Sequence, residues 1–170
     1  MSAAVRTFET RSEDETVRVG SGLGGTLAAG DVILLYGDLG AGKTAFVRGL
    51  AEGVGASPAD VSSPTFTIMQ EYRGGRVPLF HVDLYRLNDA REIEDLGLEE
   101  VAADGVLAIE WAEKLDADAR LKPSRYLTVR IAHNEGDART ITLLSQPESP
   151  TNPESATNPK SRSPNPYSDR

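Results

Sequence analysis

Residues 37–44 read Gly-Asp-Leu-Gly-Ala-Gly-Lys-Thr, which matches the spacing G-x-x-x-x-G-K-[ST] at every specified position. The octapeptide constrains the fold because such a loop works only between a strand and a helix. Both neighbours are present. Asp31-Val-Ile-Leu-Leu-Tyr36 is an apolar run of strand type, and Ala45 to Glu52 carries Phe46, Leu50 and Ala51 on helical spacing. A strand, a glycine-rich turn and a helix form a nest of backbone N–H groups, and the helix N-terminus adds the positive end of its dipole.

Each residue type in the loop has a reason. Gly37, Gly40 and Gly42 allow backbone angles that a Cβ would forbid and a close approach to phosphate oxygens. Asp38, Leu39 and Ala41 complete the turn whose backbone wraps the phosphates. Lys43 is expected to put its ammonium on the β- and γ-phosphates, and the Thr44 hydroxyl to reach Mg²⁺. The reading is a binder of a nucleoside triphosphate with magnesium.

A length of 170 residues suits one domain with a real core. The net charge of −8 argues against holding DNA or RNA on a general basic surface, though not against acting on RNA through a partner. There is no cysteine, hence no disulfide framework, thiol nucleophile or cysteine-zinc site. The first residues have no apolar signal core, and no run approaches the roughly 20 apolar residues of a membrane span. The expectation is a cytoplasmic protein with no membrane partner.

Along the chain, Val5 to Phe8 reads as a short edge strand. Ser12-Glu-Asp-Glu15 has the capping-box pattern and opens a helix to about Ala29, ended by Gly30, although Gly20, Gly22, Gly24 and Gly25 weaken it. After a loop at Ser62–Thr65 come two strand-like runs, Phe66 to Tyr72 and Val77 to Tyr85, joined by Arg73-Gly-Gly-Arg76 as a hairpin. Ala90 to Ala103 reads as a helix broken at Gly97. Gly105 to Glu110 reads as a buried strand, and Arg125–Ala132 with Ala138–Leu144 as a last hairpin. The fold class is therefore α/β, a three-layer phosphate-loop NTPase-like architecture whose sheet is mixed and partly antiparallel. From Gln146 onward Pro, Ser, Asn and Thr dominate, so residues 1–145 read as the domain and 146–170 as a disordered tail.

A phosphate loop needs acids. Glu110 ends an apolar strand, where open α/β sheets build their sites, and Asp83 sits late in His81-Val-Asp-Leu-Tyr-Arg86. Either can bind Mg²⁺ directly or through water, or orient an attacking water, or be a solvated strand-end acid. Thr65 or Thr67 is a candidate switch residue, with a plain turn at Ser63-Pro64 as the alternative. Trp111 can stack on a base or a partner, or sit half-buried in the core. His81 shares a strand face with Asp83 and is expected to orient it. Arg86 and Arg91 can face phosphate or pair with the acidic run from Glu92 to Glu100, and the pairing is the expectation.

Gly-Asp-Leu-Gly-Ala-Gly-Lys-Thr, Ser-Pro-Thr-Phe-Thr, His-Val-Asp-Leu-Tyr-Arg-Leu and Ile-Glu-Trp-Ala-Glu together resemble, in order and spacing, the TsaE (YjeE) family over roughly Glu15 to Leu144. The resemblance implies a slow Mg²⁺-dependent ATPase of the tRNA threonylcarbamoyladenosine (t6A) pathway. It implies a complex with the threonylcarbamoyl transferase (TsaD-like) and its smaller paralogue (TsaB-like), which ATP turnover resets, and contact with tRNA only through that complex. Carried over by motif, Lys43 and Thr44 would hold phosphate and Mg²⁺, and Glu110 would be the second Mg²⁺ ligand. Asp83 would be the acid needed for hydrolysis, Thr65 would lie in the switch-like loop and Trp111 beside the nucleotide. Ala45 stands where the family often has a second threonine, so a hydroxyl contact to the α-phosphate is lost.

Three rivals remain on the sequence. A small-molecule kinase needs an arginine-bearing lid, and Arg73-Gly-Gly-Arg76 is too short for one. A GTPase needs a guanine reader, and no N-K-x-D stretch occurs. A nucleotide-dependent interaction switch needs no catalytic acid. No arginine is assignable as a finger, a group worth about 10³–10⁵ in rate when supplied, so partner-supplied groups are expected.

Overall fold

Residues 4–38, 40–61 and 67–146 are described by the computed structural model of the chain. The strands are β1 (Val5–Thr10), β2 (Val32–Tyr36), β3 (Met69–Tyr72), β4 (Leu79–Asp83), β5 (Val106–Glu110), β6 (Leu127–His133) and β7 (Arg139–Ser145). The helices are α1 (Glu13–Gly24), α2 (Lys43–Val54), α3 (Ala90–Glu94) and α4 (Leu98–Asp104). The seven strands form one sheet in the order β1-β7-β6-β2-β5-β4-β3. β2 pairs in parallel with β5 and β6, and β5 with β4, while the ends of the sheet are antiparallel: the β3–β4 pair at one end, and at the other the β6–β7 hairpin with β1 added beside β7. The mixed α/β sheet expected from the sequence is present.

β2 and β5 are buried at every position because both of their faces are covered, which explains their unbroken apolar runs. Alternation sorts their side chains into two layers. Ile33, Leu35, Val106 and Ala108 pack with Phe46, Val47 and Leu50 of α2. Val32, Leu34, Leu107 and Ile109 pack with Ile93, Leu98 and Leu115 on the other face. The chain leaves β2 toward the first face and β5 toward the second. The crevice opened between the carboxyl ends of these two strands is where a doubly wound sheet builds a site.

α1 begins as its capping residues demand. The Ser12 hydroxyl accepts the Glu15 N–H at 3.1 Å, and the Glu15 carboxylate reaches back to the Arg11 N–H at 2.6 Å. The helix stops at Gly24 instead of about Ala29. Thr26 folds its hydroxyl onto the Leu23 carbonyl at 2.7 Å, and the Arg76 guanidinium takes the carbonyls of Gly24 and Leu27 at 3.0 and 2.6 Å. The glycines that weaken α1 by propensity have a packing role. A Cβ on Gly20 would lie 2.4 Å from the Phe46 carbonyl oxygen, and one on Gly24 would lie 2.6 Å from that of Leu50. On α2, a Cβ on Gly49 would lie 2.1 Å from the Val17 carbonyl oxygen. Backbones this close tolerate no side chain between them.

The β3–β4 connection is wider than a two-glycine hairpin turn. Pro78 lacks an N–H, and the loop docks on the ends of α1 and α2 through Arg76, whose own N–H donates to the Val54 carbonyl at 2.7 Å. Gly97, at φ 61°, separates α3 from α4 as expected. β6 and β7 form the expected last hairpin. The strand expected to start at Phe66 begins at Met69, and Phe66 itself, like the Ser62–Thr65 loop, lies outside the described residues. So does the expected tail from residue 147; Gln146 accepts the Tyr126 N–H at 3.0 Å.

Candidate functional site

β2 delivers the chain into the loop, and α2 carries it away. Gly40 and Gly42 have φ of 79° and 107°, left-handed values that explain glycine at these two places. Gly42 caps α2 with no side-chain bond, and the first turn holds no acid. The leading N–H groups of a twelve-residue helix are thus left to an outside anion, which fits a phosphate chain. The loop closes on itself through the Ala41 N–H to the Asp38 carbonyl at 3.0 Å. Arg139, at the start of β7, braces it from outside by donating to the Ala41 carbonyl at 2.9 Å.

Lys43 is mostly buried and donates to the Gly37 carbonyl. Its ammonium lies 3.8 Å from the centroid of the Trp111 ring. Burial lowers its pKa, opposed by the charges of Glu113, Glu110, Asp83 and Asp38. Trp111 is the one non-glycine among the described residues with positive φ, at 59°. This left-handed turn directly after β5 brings the indole across the loop and against Tyr85, with ring centroids 4.9 Å apart. Such backbone costs about 1–2 kcal/mol and persists only where its surroundings fix it.

The two acids differ. Glu110 is 3% exposed, and its carboxylate is engaged at both oxygens. Thr44 Oγ1 donates to Oε1 at 3.1 Å, and Nε2 of the fully buried His81 lies 2.8 Å from Oε2. Asp83, opposite Glu110 in the β4–β5 register, is half-buried and accepts the Tyr85 N–H at 2.9 Å. Burial raises the Asp83 pKa, as does the Glu110 charge, while the Tyr85 N–H, His81 and Lys43 pull it down. His81 therefore bonds Glu110, and the expected His81–Asp83 bond is replaced. The sequence spacing put His81 and Asp83 on one face of β4, but only the pairing of β4 with β5 brings Glu110 to the same face.

A cavity of about 510 Å³ collects these groups, a size that suits a small ligand. Gly40, Gly42, Lys43, Thr44, Asp83, Glu110 and Trp111 all line it, so one wall holds most of the residues singled out from the sequence. Gly37, Asp38 and Ala41 shape the loop behind that wall. Thr67 also lines the cavity, whereas Leu39 and Thr65 lie outside the described residues. The described residues contain no cluster of three or more His, Asp or Glu able to hold a metal alone. A cation beside Thr44 and Glu110 would share its coordination with phosphate oxygens and water, as Mg²⁺ does.

Several lining groups are not singled out by the sequence, and one, Arg86, stands there as a phosphate-facing alternative to the favoured pairing. Arg48, Arg86 and Arg139 reach the same cavity from α2, from the turn after β4 and from β7. Arg48 is paired with Glu13, and Arg139 is committed to the loop. No ion pair among the described residues joins Arg86 or Arg91 to the Glu92–Glu100 run, so the expected pairing is absent; Arg86 points to the cavity instead. Ser12, Glu13 and Thr16 of the α1 start face the loop across the same space. Glu113, two residues past Trp111, keeps a buried Oε1 without a hydrogen-bond partner, and burial raises its pKa.

A family model described as threonylcarbamoyl adenosine biosynthesis protein TsaE matches residues 10–141. A relative from Nostoc sp., named tRNA threonylcarbamoyladenosine biosynthesis protein TsaE, is 44% identical over 133 residues, covering 75% of this chain and 78% of the relative. One of the same name from Bacillus subtilis is 42% identical over 136 residues, covering 79% and 82%. The crystal structure of Bacillus subtilis YdiB matches with a TM-score of 0.68 at 33% identity, over 85% of this chain and 88% of that one. With a family model spanning most of the domain, relatives above 40% identity and a matching solved fold, the chain belongs to the TsaE family of threonylcarbamoyl adenosine biosynthesis proteins.

Proposed function

We propose that the chain is a Mg²⁺-dependent ATPase that binds the tRNA threonylcarbamoyl transferase and its smaller paralogue, and resets that complex during t6A formation. The observation that carries this reading is the Thr44–Glu110 contact at the mouth of the phosphate loop. A hydroxyl at the first turn of the loop helix and a carboxylate at the end of a neighbouring strand are the oxygen pair that such a site offers to Mg²⁺. Bound Mg²⁺ would neutralise charge on the β- and γ-phosphates. The uncapped N–H groups of α2 and the Lys43 ammonium hold the phosphates, and Trp111 covers them from the side.

Asp83 suits the water-orienting role. One of its oxygens is fixed by the Tyr85 N–H, and burial makes the carboxylate a better proton acceptor than an exposed aspartate. Arg48 and Arg139 are already committed within the domain, which leaves Arg86, among the described residues, as the one cavity arginine without such a tie, and a need for further positive charge delivered by a partner across the open mouth would make turnover slow in isolation. Partner-dependent turnover is what a resetting role requires.

The test is phosphate release from ATP with and without the transferase pair and tRNA. Stimulation by the full complex is the expected result. No stimulation, with phosphate delivered instead to an added small acceptor, would replace this reading with a kinase.

A further inference from the structure

Behind Glu110 a polar chain continues from Thr44, the last residue of the phosphate loop, into the core. His81 is 0% exposed in a layer otherwise built from Leu79, Val106, Ala108 and the apolar face of α2. Its Nε2 lies 2.8 Å from Glu110 Oε2, and its Nδ1 lies 3.3 Å from the Tyr72 hydroxyl. The Tyr72 hydroxyl also lies 2.5 Å from Gln70 Oε1. From Thr44 to Gln70 the chain crosses α2, β5, β4 and β3.

Two features give the imidazole a purpose beyond filling space. A leucine would occupy the layer without needing polar partners, whereas a buried imidazole costs free energy unless its nitrogens are engaged. Its hydrogen bond is also spent on one oxygen of Glu110. A carboxylate accepts only, so Nε2–H donates, and with Oε2 pinned in the core the other oxygen is turned toward Thr44 and the cavity. Asp83 shares the β4 face with His81 but takes its hydrogen bond from Tyr85. The imidazole thus acts on the acid nearest the loop helix.

We propose that His81 is a positioning residue for magnesium, holding Glu110 by Oε2 so that Oε1 and Thr44 Oγ1 meet the cation already in place. The inference rests on reading Thr44 and Glu110 as the cation's protein ligands. Outer partners that orient a metal-binding carboxylate are worth about 10- to 100-fold in metal affinity or activity. Tyr72 steadies the ring from its other nitrogen and is the weaker link.

Trp111 is the single tryptophan of the chain and lies on Lys43, so its emission reports nucleotide binding independently of hydrolysis. ATP is titrated in EDTA and then at rising Mg²⁺. In His81→Asn, whose side chain is too short to reach Glu110, the Mg²⁺ needed for half the tightening is expected to rise about 10-fold. Affinity in EDTA should stay within about twofold. His81→Gln places an amide nitrogen near the site of Nε2 and should restore most of the magnesium response. Tyr72→Phe should shift it a few-fold in the same direction, and it decides the matter if His81→Asn does not fold.

An unchanged magnesium requirement would overturn the role. So would a parallel loss of affinity with and without Mg²⁺ in His81→Asn, or failure of His81→Gln to restore the response. A wild-type protein that binds ATP with no magnesium effect would overturn the metal site itself, and this role with it.

Discussion

Glu110 satisfies two demands that normally conflict. A carboxylate at 3% exposure loses most of its hydration, a loss of several kcal/mol unless hydrogen bonds replace it. His81 and Thr44 replace it and fix its direction. Asp83 is less well compensated, which gives its fold contribution a definite pH sign. Its folded pKa lies above the ordinary 3.8 because burial disfavours the charged form. The stabilising contribution is full below the ordinary value and is lost as pH rises through the folded value, so ionised Asp83 weakens the fold at neutral pH. Asp83→Asn is therefore predicted to raise the melting temperature by a few degrees at about pH 7, with the gain shrinking toward about pH 4, while hydrolysis is lost. Thermal melts at the two pH values check this; a variant less stable than wild type at neutral pH would contradict it. Lys43, Thr44, Glu110 and Asp83 were legible because their places relative to a loop or a strand end are written locally. The partner of His81 and the reach of Arg139 were not, because both depend on which strands become neighbours.

At the scale of elements, the contact between α1 and α2 departs most from what propensity alone expects. Gly20 faces Gly49 and Gly24 faces Gly53 across a backbone-to-backbone approach that glycine makes possible. Position within the stripe decides the effect of each substitution. Gly49→Ala would drive a Cβ to 2.1 Å from the Val17 carbonyl oxygen, and a cost of about 1–3 kcal/mol is predicted from overpacking. Gly22, with nothing within 4 Å of an added Cβ, should gain about 0.5–1 kcal/mol from Gly22→Ala. Chemical denaturation of the two variants separates them; equal effects would refute the close approach. Helix α1, the broken α3–α4 pair and the final hairpin were legible from caps, Gly97 and alternation. The end of α1 and the width of the β3–β4 loop were not, since Arg76 sets both from a distance.

For the whole molecule, the sheet order sets the site. β5 must lie beside β2 for Glu110 to meet Thr44, and the two chain exits must leave on opposite faces to open the crevice. Alternation and apolar runs made the fold class legible, but the order of seven strands is a property of long-range pairing that no local pattern spells out. Both layers of the core close within residues up to Leu143, and β7 ends at Ser145. Truncation after Gln146 is accordingly predicted to leave the melting temperature unchanged, and a large drop would show that the tail is part of the fold. The proposed role of Thr44 and Glu110 is to make this domain a magnesium-dependent ATPase. Phosphate release from ATP as a function of Mg²⁺, in wild type and Glu110→Ala, tests it most directly. Slow, magnesium-dependent release in the wild type that falls by about 100-fold or more in the variant is the predicted result, as expected when transition-state charge stabilisation is removed. Release by Glu110→Ala at the wild-type rate and magnesium dependence would contradict it.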